Sequence, residues 1–209
     1  MRWMIILPFG AIAVSATARE VVVIKPTANL NTPNSVYVEF DSYQHRSASE
    51  SHLAEAMYMQ IKPSARFDFG LDRVHIGNGA SAQTYWNLRY VASPETERMP
   101  GLAIGAFEIA PGTHPTFYLT STRTLKHSAL HAGIYLQRNQ LGWGVAYQQP
   151  TPLNVEVAVE YYRQPGGDGL LSLCLTRPVR EHVSVSVYTI ANDRTRLLEV
   201  IGANVAFNL

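Results

Sequence analysis

The sequence predicts an all-β chain that closes into an antiparallel, up-and-down transmembrane β-barrel of about twelve strands. Two observations carry the prediction. Apolar and polar residues alternate with a period of two in segments of about ten residues, and Gly, Pro, Asn or Asp punctuate the gaps between them. After residue 18 no apolar stretch approaches the ~18 residues that a membrane-spanning helix requires, so any crossing is made by strands.

The chain opens with Met1-Arg2-Trp3-Met4-Ile5-Ile6-Leu7 and runs through Ala11-Ile12-Ala13-Val14 to Ser15-Ala16-Thr17-Ala18. One positive charge, a short apolar run broken by Pro8 and Gly10, and an A-x-A site make up a secretory signal peptide. Cleavage is expected near Ala18, leaving 19–33 as a periplasmic N-terminal segment and 34–209 as the barrel domain. The leader takes one Arg and no acid with it, so a chain of 17 basic and 16 acidic residues becomes neutral. Its lysines, Lys25, Lys62 and Lys126, are scattered, and phosphate binding needs a clustered cationic surplus, so no nucleic-acid partner is expected. Cys174 is the only cysteine, which excludes an internal disulfide.

Strands are predicted at 34–44, 52–62, 65–76, 83–93, 101–110, 115–125, 128–138, 141–149, 152–163, 169–177, 182–191 and 197–208. Val36, Val38 and Phe40 oppose Tyr37, Glu39 and Asp41; Phe67, Phe69 and Leu71 oppose Arg66, Asp68 and Asp72; Trp86, Leu88 and Tyr90 oppose Asn87 and Arg89. Further on, Trp143, Val145 and Tyr147 oppose Gly142, Gly144 and Ala146, and Val155, Val157, Val159 and Tyr161 oppose Glu156 and Glu160. Two segments fit less well. Ala54-Glu55-Ala56-Met57 also reads as helix, and Glu108 shares a face with Leu102 and Ile104; without both segments the barrel has ten strands. Connectors such as Lys62-Pro63-Ser64 and Gln164-Pro165-Gly166-Gly167-Asp168-Gly169 suit antiparallel neighbours.

A soluble barrel and a membrane barrel both alternate, and they differ in what the polar face carries. Here that face interleaves Glu and Asp with Gly and Ala, Lys is scarce, and charged residues make up 16% of the chain, which suits a confined lumen better than open water. The candidate lumen-lining residues are Glu39, Asp41, Arg66, Asp68, Asp72, Asn87, Arg89, His131, Glu156 and Glu160. Tyr43, Trp86, Tyr90, Trp143, Tyr147 and Tyr161, together with Tyr85 and Tyr162, lie near strand ends, where a membrane-interface girdle of aromatic rings belongs.

The last residues, Val200-Ile201-Gly202-Ala203-Asn204-Val205-Ala206-Phe207-Asn208-Leu209, resemble the terminal strand of bacterial outer-membrane β-barrels, with Val205, Phe207 and Leu209 in the place of the assembly signal. The stretch Pro26-Thr27-Ala28-Asn29-Leu30-Asn31-Thr32-Pro33-Asn34-Ser35 resembles the start of uncharacterised outer-membrane barrels related to exopolysaccharide-associated ones. The resemblance implies residence in an outer membrane, contact with its lipid, and insertion by the barrel-assembly machinery.

The seven histidines, His45, His52, His75, His114, His127, His131 and His182, are scattered along the chain and no H-E-x-x-H occurs, so no metal is assigned. Ser121, Ser172 and His131 supply hydroxyl and imidazole groups, but no G-x-S-x-G occurs, and no catalytic residues or cofactor are assigned. A lumen of six acids against two arginines predicts a small porin-like channel or structural barrel passing small solutes, with a weak preference for cations. The alternatives are a membrane-embedded enzyme acting on lipid or polysaccharide, and a soluble secreted β-barrel that binds an apolar ligand.

Overall fold

The computed structural model describes residues 35–46, 51–76, 81–193 and 198–208. The predicted leader at 1–18, the segment 19–33, residues 47–50 and 77–80 of the two longer predicted loops, and Leu209 lie outside them. Twelve strands follow in order: β1 (Ser35–Arg46), β2 (Ser51–Lys62), β3 (Phe67–Ile76), β4 (Gln83–Ser93), β5 (Gly101–Ile109), β6 (Thr116–Thr124), β7 (Ala129–Gln137), β8 (Gln140–Pro150), β9 (Glu156–Arg163), β10 (Gly169–Arg180), β11 (Val183–Asn192) and β12 (Leu198–Asn208). Each pairs antiparallel with its sequence neighbours, and β1 pairs with β12, for example Phe40 with Val205, so the sheet closes and has no free edge. Both less regular segments form strands, β2 and β5, which settles the count at twelve.

Turn chemistry sets the strand ends. The Ser64 hydroxyl accepts from the amides of Arg66 and Phe67 at 3.3 and 3.1 Å, which holds 63–66 as a turn and starts β3 at Phe67. Arg138 and Asn139, both at positive φ, form the two-residue hairpin between β7 and β8. Asn154, at φ 55°, lies within a turn closed by Thr151 N to Val155 O at 2.8 Å, so β9 begins later than the alternation suggests.

Period two sorts the wall into two faces. Outside stand Phe40, Trp86, Leu88, Ile104, Leu119, Ile134, Val145, Leu173 and their like, each more than 40% exposed. Among the described residues, acidic and basic side chains reach this outer face only near strand ends: Glu55, Arg73 and Arg163 at one end, Arg123, Arg177 and Arg180 at the other. About ten residues per strand, at ~3.4 Å each and tilted ~45°, make an apolar belt about 24 Å tall, close to the ~25 Å band of membrane barrels. The core lies inside the barrel. Inward glycines receive tyrosine rings from beside or across the strand: a Cβ at Gly133 would strike the Tyr135 hydroxyl, and one at Gly202 would strike the ring of Tyr188, its cross-strand partner.

Candidate functional site: the barrel lumen

The lumen divides along its axis. The terminal end holds the start of β1 and the end of β12; the opposite end holds the connections 110–115, 138–139 and 164–168. Toward the terminal end, Asp68 on β3 faces Arg89 on β4 across the register, and its Oδ2 accepts from Nε at 2.9 Å and Nη2 at 2.5 Å. Gln60 on β2 donates to the other carboxylate oxygen. Asp68 and Arg89 are almost wholly buried, and a buried charge persists only when it is paired and hydrogen-bonded.

Two strands further round, Thr122 (β6), His131 (β7), Gln148 (β8) and Glu156 (β9) form a ladder. Thr122 Oγ1 and His131 Nδ1 are 2.9 Å apart, His131 Nε2 and Gln148 Oε1 are 2.9 Å apart, and Gln148 Nε2 donates to Glu156 Oε1 at 2.6 Å. The directions follow from chemistry. Gln148 turns its NH2 to Glu156, which leaves its oxygen to face His131. In the neutral imidazole Nε2–H then donates to Gln148, and Nδ1 accepts from Thr122. A hydroxyl, an imidazole and an amide in this order match the arrangement of an activated nucleophile. Thr122, however, has no exposed surface, so the ladder satisfies buried polar groups and presents no reactive oxygen to a substrate.

Toward the opposite end the lumen fills with rings. Tyr118, Tyr135 and Tyr162 are buried together with Phe107 packed against them; Tyr135 meets Tyr162 edge-on at 5.1 Å, and Phe107 lies 5.9 Å from Tyr118. Gly105 and Gly144 sit directly across from Tyr118 and Tyr162. On the remaining wall Tyr37 donates to Glu39, and Tyr188 donates to Asp41 at 2.8 Å.

Of the expected lining residues, Glu39, Asp41, Asp68, Asp72, Arg89, His131, Glu156 and Glu160 are buried inside, and Asn87 is half-buried on the same face. Arg66 is not among them. It is exposed in the 63–66 turn, because the Ser64 hydroxyl ends the alternation before it. Among the described residues the second buried basic group is instead Lys62, 1% exposed at the end of β2, which shares the face of Tyr58 and Gln60. Sequence reasoning missed it because the helical look of 54–57 hid the alternation that runs on to it.

Trp86, Tyr90, Trp143, Tyr147 and Tyr161 project from the outer wall, with Trp143 and Tyr161 5.2 Å apart. Tyr43, Tyr85 and Tyr162 do not belong to a girdle: they continue the inward faces of Asp41, Asn87 and Glu160, since two residues along a strand return to the same side. Val205 and Phe207 lie on the outer face, half-buried. Ser121 also faces outward, and Ser172 donates to the Glu160 carbonyl at 3.4 Å, so the hydroxyl partner of His131 is Thr122.

No protein-family model and no curated protein sequence matches the chain. Among solved structures it is similar to the KdgM porin, at 10% identity and a TM-score of 0.64, over 82% of this chain and 98% of that one. It is similar as well to the KdgM porin in complex with disordered oligogalacturonate, at 10% identity and a TM-score of 0.64, over 83% and 98%. An outer membrane channel from Pseudomonas putida F1 shares 8% identity at a TM-score of 0.55, over 87% and 98%. At these identities the likeness is one of fold, and the fold is that of a bacterial outer-membrane β-barrel.

Proposed function

We propose that the chain spans a bacterial outer membrane as a small channel with a narrow lumen that favours cations and small neutral solutes. The observation that carries the reading is the sign of the lining. Among the described residues, six buried carboxylates, Glu39, Asp41, Asp68, Asp72, Glu156 and Glu160, face a lumen in which the buried cations are Lys62 and Arg89. Rings of acidic side chains favour cation passage. The membrane placement is supported by the outer face: apolar side chains over the whole wall far exceed the few hundred Å² that a soluble monomer leaves exposed, whereas lipid covers such a belt. Outer-membrane lipid and the barrel-assembly machinery are the partners that the reading requires, with the signal peptide removed near Ala18. The KdgM porin has been captured with oligogalacturonate, an anionic sugar chain; the acid excess here disfavours a cargo of that sign.

The test is to express the full chain, extract the outer membrane, and compare gel mobility in detergent before and after boiling. The barrel is then reconstituted in planar bilayers under a KCl gradient. A heat-dependent mobility shift and a reversal potential of cation-preferring sign are expected. A soluble product or an anion-preferring current overturns the reading.

A further inference from the structure

Glu108 is the residue whose position the alternation of β5 does not explain. Counting by twos from Leu102 and Ile104, it belongs on the lipid face, where a carboxylate close to the belt is costly. The structure contains a device that changes this. Trp86 pairs with Ile109 and Leu88 with Ala106, so Phe107 and Glu108 together oppose the single residue Asn87. The two-against-one bulge carries Glu108 at a φ of 62°, a left-handed conformation that non-glycine residues adopt only when their surroundings hold them there.

Several contacts hold it. The Glu108 amide donates to Asn87 Oδ1 at 3.2 Å, and its carbonyl accepts from the Thr113 hydroxyl at 2.8 Å. Its Oε2 accepts from Thr116 Oγ1 at 3.2 Å and from Gln137 Nε2 at 3.4 Å. Thr116 and Gln137 lie on the inward faces of β6 and β7, so the bulge has brought the carboxylate round to the lumen and sent Ile109 outward beside Trp86 in its place. Glu108 is exposed, at the end of the barrel opposite the termini, on the same strand end as Phe107, which packs on Tyr118 and Tyr135. Bulges beside functional sites commonly re-aim a side chain in this way.

We infer that the β5 bulge places the Glu108 carboxylate at the mouth of the lumen, above the tyrosine cluster, as the charge that selects which ions enter. The inference rests on the channel reading and adds to it an entry point and a residue. An exposed mouth charge acts through the solution, so its effect follows ionic strength, whereas a purely structural role for the bulge does not.

The experiment compares K⁺ and Cl⁻ permeability of the full chain, of Glu108→Gln and of Glu108→Gly in planar bilayers. Gln keeps the hydrogen-bonding shape without the charge, and Gly suits the left-handed backbone while removing the side chain. In about 0.1 M salt each variant is expected to lose roughly two- to threefold of the wild-type cation-to-anion ratio, and in about 1 M salt the difference is expected to vanish. Wild-type current with an unchanged ratio in both variants at low salt overturns the inference and leaves the channel reading standing. An effect of equal size at both salt concentrations also overturns it, since that is the signature of altered packing. If the wild-type barrel passes no current, the channel reading falls and the inference falls with it.

Discussion

Near the termini the lumen is filled by side chains bonded to one another across adjacent strands, Gln60 to Asp68 to Arg89 and Thr122 to His131 to Gln148 to Glu156. Toward the other end it is filled by Tyr118, Tyr135 and Tyr162, with Gly105, Gly133 and Gly144 leaving them room. Both fillings occupy the interior of the same barrel, but they fail differently. In the first half a single deletion strands a buried charge or polar atom. In the second an added methyl group at Gly105 or Gly133 runs into a tyrosine ring. One half depends on partners being complete and the other on volumes being right.

The largest effect therefore lies in the wired half. Asp68→Ala takes from the buried Arg89 guanidinium the carboxylate that accepts from its Nε and Nη2, and is expected to destabilise by about 3–5 kcal/mol, read as a shift in the denaturant midpoint of the folded barrel in detergent micelles. Replacing Arg89 by Met in the same chain is expected to recover most of the loss. A loss below about 1 kcal/mol shows that groups other than Asp68 balance the cation.

In the packed half the expected loss is smaller. Gly133→Val drives a branched side chain into the Tyr135 hydroxyl and the Thr120 methyl group, an overpacking of about 1–3 kcal/mol. Tyr135→Ala in the same chain is expected to relieve it, and alone to raise single-channel conductance by removing a ring from the buried tyrosine cluster. If Gly133→Val is as stable as the parent, the rings have room to move and this half is no more rigid than the other.

The two halves also differ in how far the sequence discloses them. The outer belt and the buried acids are legible because alternation within one strand needs nothing but that strand: Phe40 and Asp41 declare their faces as neighbours. The ladder and the tyrosine–glycine pairs depend on register between strands. That Gly144 lies opposite Tyr162, or that Gln148 reaches both His131 and Glu156, follows from turn lengths and bulges that no alternation encodes. Tyr43 differs for another reason: its nearness to a strand end points to a girdle, but its parity with Asp41 places it inside, and parity is the stronger constraint wherever the wall is closed. Glu108 shows the limit from the other side: its conflict with Leu102 and Ile104 is visible in the sequence, but the left-handed backbone that resolves it is not.

The smallest effect is the most informative about whether the wiring acts as one unit. Thr122→Val preserves shape and removes only the hydroxyl that donates to His131, so it is expected to cost about 1 kcal/mol. Gln148→Leu removes the amide between His131 and Glu156 and is expected to cost more, because two buried partners lose a bond at once. If the ladder is cooperative, His131 no longer holds its orientation once Gln148 is gone, and Thr122→Val then costs less in that background than in the parent chain. A double-mutant cycle on unfolding free energy is expected to return a coupling of about 0.5 kcal/mol or more. Additive losses would mean that each bond merely satisfies its own donor, and the terminal half of the lumen would be a set of independent pairs with no more collective order than the rings above it.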